Sequence, residues 1–291
     1  MSYITTKDNV RLYCKDWGAG RPVVMLHGWP LSSDTFDDLA MAVADAGFRA
    51  IAYDRRGFGR SEQPWSGYDY DTLSDDLADV LQQTGAADAT LLGFSMGGGE
   101  VVRYMSRHGG RNVAQAILVS SVVPYMEKVD GNPGGVDPEV FREMTMGMKR
   151  DRAGFWGAFF KQFYGVGVMS HPVTDEVLEW SRNIAMQASL KATLDCAHAF
   201  ATTDFRPDLR AMKVPTLLIH GTADKTVPID VSTRRTAELL PLATSIEYEG
   251  GPHGLLASHK PELTADVLEF LRTGGVAKRT VAADESGPIL L

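Results

Sequence analysis

The feature that most constrains the fold of this chain is the pentapeptide at residues 93–97, Gly-Phe-Ser-Met-Gly, with its flanks. An apolar run at 89–92 precedes it, and a stretch with helical character follows at 98–107. A Gly-x-Ser-x-Gly pattern between a strand and a helix is typical of a nucleophile elbow, a turn so tight that the serine is strained. The two glycines avoid collisions between strand and helix, and the helix N-terminus offers N–H groups to an oxyanion. We predict that Ser95 is a nucleophile; the alternative is a glycine-rich junction with a surface serine.

The rest of the chain alternates between apolar, strand-like runs and helix-like stretches. Such alternation is typical of a parallel sheet with helices on both faces, although the first two runs favour an antiparallel hairpin. The sequence therefore predicts an α/β protein with a mostly parallel, eight-stranded sheet. The strands are predicted at residues 3–6, 10–16, 22–26, 49–53, 89–92, 114–120, 216–219 and 245–248. The helices are predicted at residues 34–46, 71–84, 98–107, 230–240 and 261–271.

The alternation is interrupted between residues 122 and 212, which are rich in Met, Phe and Gly and show no clear strand. Two stretches there, 144–165 and 175–200, are predicted to be helical. A helical insertion after a parallel strand lies over the carboxyl edge of the sheet, where open α/β sheets bind ligands. We expect a helical cap at 122–212 on a core formed by 1–121 and 213–272; the alternative is that these are further core helices. Residues 273–291 are expected to form a flexible tail or an oligomer contact.

Composition narrows the choice of partners. The 291 residues carry a formal net charge of −8 with no dense basic run, which disfavours nucleic acid and anionic membranes. The longest mostly apolar run, 113–124, is too short to span a bilayer, and the N-terminus has no apolar signal core. Cys14 and Cys196 lie far apart, and no His/Cys cluster has zinc spacing. We expect a soluble, cytoplasmic protein that acts on a small molecule, with no metal or other cofactor.

A serine nucleophile needs a base, and the base needs an orienting acid. The predicted strand at 216–219 is followed by Asp224, and the strand at 245–248 is followed by His253. The chain order Ser95, Asp224, His253 is the order of a triad on a sheet of this kind, and all three follow strands at the edge where chemistry is expected. In these roles His253 takes the serine proton, and Asp224 holds the imidazole and stabilises its charged form.

Other residues compete for these roles. His27 and His220 also follow strands, and we interpret both as structural hydrogen-bonding groups. Asp54 is the main competitor of Asp224, but its Asp-Arg-Arg-Gly-Phe-Gly context favours a tight turn beneath the site.

An oxyanion needs two N–H donors. The backbone N–H of Met96, the residue after the nucleophile, is one candidate, and that of Trp29, in the loop after the strand at 22–26, is the other. Pro30 has no N–H and cannot serve.

The substrate pocket is expected to be small and apolar. Met and Phe residues in helices pack more often than they select substrates, so the group is more informative than any one member. Besides Trp29, its candidate walls are Leu31, Phe94, Met126, Phe155, Phe159, Phe163 and Val227.

These motifs resemble the α/β-hydrolase superfamily and, within it, the bacterial aryl esterases and cofactor-free haloperoxidases (perhydrolases). The segments HGWP, DRRGFGRS and GFSMGGG carry the resemblance most specifically, and the match extends from about residue 3 to 272. The resemblance implies an α/β-hydrolase fold, a triad of Ser95, Asp224 and His253, and oxyanion donors at Trp29 and Met96. Residues 125–147 match weakly, and the tail after 272 is longer than the family leads us to expect.

The resemblance also implies two activities from one site. One is hydrolysis of small carboxylic esters through an acyl-serine; the other is perhydrolysis, in which hydrogen peroxide replaces water and the peracid formed oxidises halides in solution. The dipeptide Trp29-Pro30 resembles the sequence at this position in the haloperoxidase-like members of the family. Proline biases the residue before it toward extended geometry, which would aim the Trp29 carbonyl into the site as an acceptor for peroxide.

Rival functions stay open at this point. A lactonase, a lactamase or a carbon–carbon bond hydrolase could use the same triad, and a small-molecule receptor could keep the fold without turnover. A haloalkane dehalogenase is disfavoured, because it would need Asp in place of Ser95. We also expect the chain to form a homo-oligomer.

Overall fold

Nine strands form a single sheet in the computed structural model, which describes residues 2–276 and 279–282. The sheet order is β1-β2-β4-β3-β5-β6-β7-β8-β9. The pairs β1–β2 and β2–β4 are antiparallel, and every other neighbouring pair is parallel. The strands are β1 Ser2–Thr5, β2 Arg11–Gly18, β3 Pro22–Leu26, β4 Arg49–Tyr53, β5 Ala89–Phe94, β6 Val113–Val119, β7 Thr216–Gly221, β8 Thr244–Tyr248 and β9 Arg279–Val281.

The sheet confirms the predicted α/β class and its mostly parallel topology. Every residue of β3, β5 and β7 is buried, which explains why these strands are continuous apolar runs rather than alternating ones. The predicted count of eight strands was one too low. The ninth strand, β9, lies in the segment expected to be a tail and pairs with β8, while residues 277–278 and 283–291 of that segment lie outside the described part.

Ten α-helices accompany the sheet in the described part of the chain. Helices α1 and α10 contact each other, and so do α2 and α3, so that two groups of helices flank the strands. No helix among the described residues is both long and apolar enough to cross a membrane. The helices are α1 Asp37–Asp45, α2 Tyr70–Thr84, α3 Met96–Arg107, α4 Pro138–Arg150, α5 Arg152–Phe163, α6 Asp175–Gln187, α7 Leu190–Thr202, α8 Thr233–Leu239, α9 Leu255–Ser258 and α10 Lys260–Thr273.

Helices α4 to α7 occupy the segment between β6 and β7. Each of the two predicted helical stretches is divided into two helices at a polar capping residue. The side chain of Asp151 accepts a hydrogen bond from the Gly154 N–H and begins α5, and Ser189 accepts from the Ala192 N–H and begins α7. Such caps satisfy N–H groups that have no partner within the helix, so they stabilise a new helix start at these positions.

Candidate active site

Ser95 lies in the turn between β5 and α3 with a backbone φ of 54° and ψ of −117°. A positive φ is uncommon outside glycine and indicates strain held in place by the surrounding structure. Here that structure is very close packing. A Cβ on Gly93 would lie 2.5 Å from the Gly97 carbonyl oxygen, and one on Gly97 would lie 2.2 Å from the Leu26 carbonyl oxygen. Both glycines are therefore required for the helix to approach the strands this closely.

His253 and Asp224 lie beside the serine, on the loops that follow β8 and β7. The Ser95 hydroxyl donates to His253 Nε2 at 2.9 Å, and His253 Nδ1–H donates to Asp224 Oδ2 at 2.6 Å. The donor on the second bond is assigned because an ionised carboxylate can only accept. All three residues are buried, so the three predicted triad members form one continuous hydrogen-bonded chain.

Three N–H groups donate to the Asp224 carboxylate, and the ring nitrogen of His220 lies within reach of it. Oδ1 accepts from the backbone N–H groups of Thr226 and Val227, both at 2.8 Å. Oδ2 accepts from His253 and also lies 3.0 Å from His220 Nε2. Burial on its own would raise the pKa of Asp224, but the charge of His253 and the hydrogen bonds from His220 and His253 outweigh it, so the pKa lies well below its usual value. Asp224 is therefore ionised at neutral pH.

The two predicted oxyanion donors are the backbone N–H groups of Met96, which follows Ser95 in the chain, and of Trp29. Met96 is the first residue of α3, so its N–H has no partner within the helix. Trp29 follows β3, its peptide bond to Pro30 is cis, and its N–H makes no backbone hydrogen bond within the described residues. Directly before Trp29, Gly28 passes so close to the elbow that a Cβ there would lie 3.1 Å from the Ser95 Cβ.

The Trp29 side chain connects this loop to the inserted helices. Its indole N–H donates to the Thr193 carbonyl oxygen of α7 at 3.0 Å. Its ring makes edge contacts with Trp156, Phe159 and Phe200, with ring centroids 5.1 to 5.4 Å apart. The insertion therefore holds the loop that carries one predicted oxyanion donor.

A cavity of about 460 Å³ opens beside Ser95. Four of its residues were predicted as pocket walls, namely Trp29, Phe155, Phe159 and Val227. Sequence reasoning missed much of the remaining wall, which comes from α4, α5, α7 and the loops after β6 and β7. These additional residues are Val122, Val136, Val140, Phe141, Glu143, Met144, Ala158, Gln162, Phe200, Lys225, Thr226 and Pro228.

Four predicted wall residues are buried elsewhere. Phe94 and Phe163 pack on the ring of His253, with centroids 5.3 and 4.7 Å away, and so support the base rather than line the cavity. Leu31 and Met126 are almost fully buried in the hydrophobic core and are not among the cavity-lining residues. Their apolar character led to their prediction as wall residues, but their side chains are packed in the hydrophobic core.

The competing residues have structural partners. His27 Nε2 accepts from the Arg55 N–H at 2.9 Å, and burial, followed by the charge of Arg55, lowers the pKa of His27 well below its usual value. Asp54 accepts from the N–H groups of Ser33 and Arg60, both at 2.8 Å, and so holds the turn beneath the site as expected.

Beneath the site, Arg55 also donates to Glu100 on α3, at 2.6 Å from Nε to Oε1. Burial raises the pKa of Glu100 to about 7, against the opposing charge of Arg55. Across residues 2–276 and 279–282, no group of three or more His, Cys, Asp or Glu side chains is arranged to hold a metal ion.

Comparison with known proteins gives consistent matches over most of the chain. Residues 21–260 match the sequence family described as alpha/beta hydrolase fold. The chain is 42% identical to a non-heme chloroperoxidase from Kitasatospora aureofaciens over 273 residues, which cover 93% of this chain and 99% of the relative. It is 40% identical to a bifunctional esterase/perhydrolase from Acinetobacter calcoaceticus over 280 residues, or 94% and 100% of the two chains. The crystal structure of a bromoperoxidase from Bacillus anthracis matches with a TM-score of 0.90 at 41% identity, covering 93% of this chain and 99% of that one.

Proposed function

The chain belongs to the alpha/beta hydrolase fold family, and within it to the group of bacterial esterases and cofactor-free haloperoxidases, and we propose that it is a serine carboxylesterase with perhydrolase capacity. The observation that carries this proposal is the hydrogen-bonded chain from Ser95 through His253 to Asp224 at the edge of the cavity. One relative is named for esterase and perhydrolase activity and another for chloroperoxidase activity. One acyl-serine accounts for all of these.

In the first half-reaction the Ser95 oxygen forms a bond to the ester carbonyl carbon while its proton passes to His253 Nε2. The carbonyl oxygen becomes an oxyanion, which we assign to the N–H groups of Trp29 and Met96. The carbon–oxygen bond to the alcohol then breaks, and the alcohol leaves with the proton from His253. Asp224 stabilises the transient imidazolium and stays ionised, in keeping with its lowered pKa.

In the second half-reaction the attacking molecule is water or hydrogen peroxide. Either molecule gives a proton to His253 while its oxygen bonds to the acyl carbon. The bond between the acyl carbon and the Ser95 oxygen then breaks, and the proton passes from His253 to that oxygen. Water yields a carboxylic acid, and peroxide yields a peracid. The peracid then oxidises a halide in solution and is itself reduced to the acid, which accounts for chloroperoxidase activity.

The cavity favours small apolar esters, including aryl esters. Aromatic and aliphatic side chains form most of its wall, and its volume of about 460 Å³ is that of a small-molecule pocket. Because α4, α5 and α7 contribute to this wall, we interpret residues 122–212 as a cap over the core at 1–121 and 213–272. A homo-oligomeric assembly and a cytoplasmic location stay predictions from the sequence.

The test is a panel of short-chain and aryl esters, lactones and lactams, assayed with and without hydrogen peroxide. We expect turnover of the esters, peracid formation when peroxide is present, and a loss of about 10³-fold or more in the Ser95→Ala variant. Full activity in that variant would overturn the mechanism. Turnover of lactones or lactams but not of open-chain esters would make the cyclic compounds the substrate class. Tight binding without turnover would indicate a receptor.

A second variant tests the choice between water and peroxide. Proline has a fixed φ and constrains the residue before it, so Pro30→Leu releases the Trp29 carbonyl from its position. We expect the ratio of peracid formation to ester hydrolysis to fall about tenfold while hydrolysis persists. An unchanged ratio would show that the Trp29 carbonyl does not select the attacking molecule.

A further inference from the structure

A second imidazole contacts the carboxylate of the triad. His220 is the penultimate residue of β7 and is fully buried. Its Nε2 lies 3.0 Å from Asp224 Oδ2 and 2.8 Å from the Val227 carbonyl oxygen, and its Nδ1 lies 2.7 Å from the Thr233 hydroxyl. The sequence predicted only a structural hydrogen-bonding group at this position.

These contacts determine which nitrogen carries the proton. Nε2 faces a carboxylate and a carbonyl, which both accept, so Nε2 must donate. Nδ1 faces a hydroxyl, which can donate to it, so the neutral Nε2–H tautomer satisfies every contact of the ring. The Thr233 hydroxyl therefore selects the tautomer whose Nε2–H faces the Val227 carbonyl oxygen and Asp224, as a hydrogen bond on one ring nitrogen commonly does.

We propose that His220 is a positioning residue, which shares its Nε2–H between the Val227 carbonyl oxygen and the Asp224 oxygen that accepts from His253 and, with Thr233, sets the strength of that acceptor. The inference rests on the proposed function, since it assigns His220 a part in the same reaction. The two backbone N–H groups on Oδ1 hold the carboxylate in place. The His220 bond therefore changes mainly the charge that Oδ2 presents to His253, in a buried site where such bonds are strong.

The charged groups around His220 are few. Asp224 lies on the loop after its own strand and His253 on the loop after β8. Glu247 is in register with His220 on β8 and is paired with Arg234 of α8. Removing the donor from His220 leaves the Oδ2 charge to His253 alone, so His253 holds its proton more tightly. The reaction then needs a higher pH to reach full rate.

A matched pair of variants tests this. Gln can place an N–H near the position of His Nε2, whereas Met has a similar length and no donor. For His220→Met we expect the acidic limb of the kcat/KM profile to move up by about one pH unit, a loss of about tenfold on that limb, with a plateau within about twofold of the wild type. For His220→Gln we expect the limb to stay within about a third of a unit. Equal losses at every pH in both variants would reduce His220 to a packing role and overturn the proposal.

Two further measurements cover variants that fold poorly or a substrate class that proves wrong. Thr233→Val removes the donor to Nδ1 and should move the limb in the same direction, whereas Thr233→Ser should not. Side-chain ¹⁵N spectra of the wild-type protein should assign His220 as the neutral Nε2–H tautomer, and a proton on Nδ1 would overturn the proposal. These spectra need no substrate. If the protein were inactive on esters, the proposed function would be refuted, and the spectra would still test the tautomer of His220.

Discussion

The carboxyl edge of the sheet and the inserted helices meet at the same cavity but are ordered by different forces. At the edge, Ser95, Asp224 and His253 each follow a strand and are held by backbone geometry and hydrogen bonds. In the insertion, the rings of Phe155, Phe159 and their neighbours hold one another by edge and stacking contacts. Chemistry therefore depends on a few directional contacts, and the shape of the cavity depends on many weak ones. A single substitution should be far more damaging in the first region than in the second.

The largest effect should come from the edge of the sheet. Asp224→Asn keeps the size of the side chain but removes the charge that stabilises the imidazolium, so we expect kcat to fall by about 10³ to 10⁴-fold with little change in KM. The measurement is steady-state kinetics on the best ester of the panel. Asp54→Asn is the matched control because Asp54 holds a turn beneath the site, and the folded fraction of that variant should keep activity within about threefold of the wild type. Comparable losses of activity in both variants would show that Asp224 is no more important for catalysis than Asp54.

The same difference explains what the sequence could predict. The triad was predictable because a motif marks the serine and because parallel strands place their carboxyl ends at one edge. The partner of Asp224 at His220 was not, since a His-Gly pair after a strand carries no mark of what its ring contacts. Strand β9 has only three residues, too few for a periodic pattern, and α8 begins at Thr233, three residues after its predicted start.

The cavity wall was predicted less well, for a physical reason. Phe141 and Phe200 lie on helices in a segment that no motif marks, and both line the cavity. Leu31, Phe94, Met126 and Phe163 have the same apolar character and yet are buried in the hydrophobic core. Composition shows that a side chain avoids water, but the packing of neighbouring helices decides whether it faces a cavity or a core.

An intermediate effect should come from the cavity wall. Phe159→Ala removes a ring from the cavity, so we expect the preference for bulky over short acyl groups to rise about tenfold, with kcat for the short esters changed by less than about threefold. Met126→Ala is the control within the core. It should lower the free energy of unfolding by about 2–5 kcal/mol and leave the acyl preference unchanged. The readouts are ratios of kcat/KM across acyl lengths and denaturant unfolding, and a shifted preference in Met126→Ala would place that residue in the cavity wall after all.

The smallest expected effect is a difference in local stability between the two regions. One buried cysteine in each region reports how often that region opens. Burial raises the pKa of Cys14, on β2, to about 12 and also raises the pKa of Cys196, on α7. Neither thiol is reactive in the closed protein at pH 8, so alkylation requires local opening.

Because β1 and β4 pair with β2 along both of its edges, whereas α7 is held mainly by side-chain packing, we expect iodoacetamide to label Cys196 about fivefold faster than Cys14. Both rates should rise with pH as the opened thiols ionise. Peptide mass spectrometry over time measures the two rates in one sample, with protein in denaturant as the control for intrinsic reactivity. Equal rates would mean that the insertion and the sheet open as one cooperative unit. The two regions would then differ in how they shape the cavity but not in their local stability.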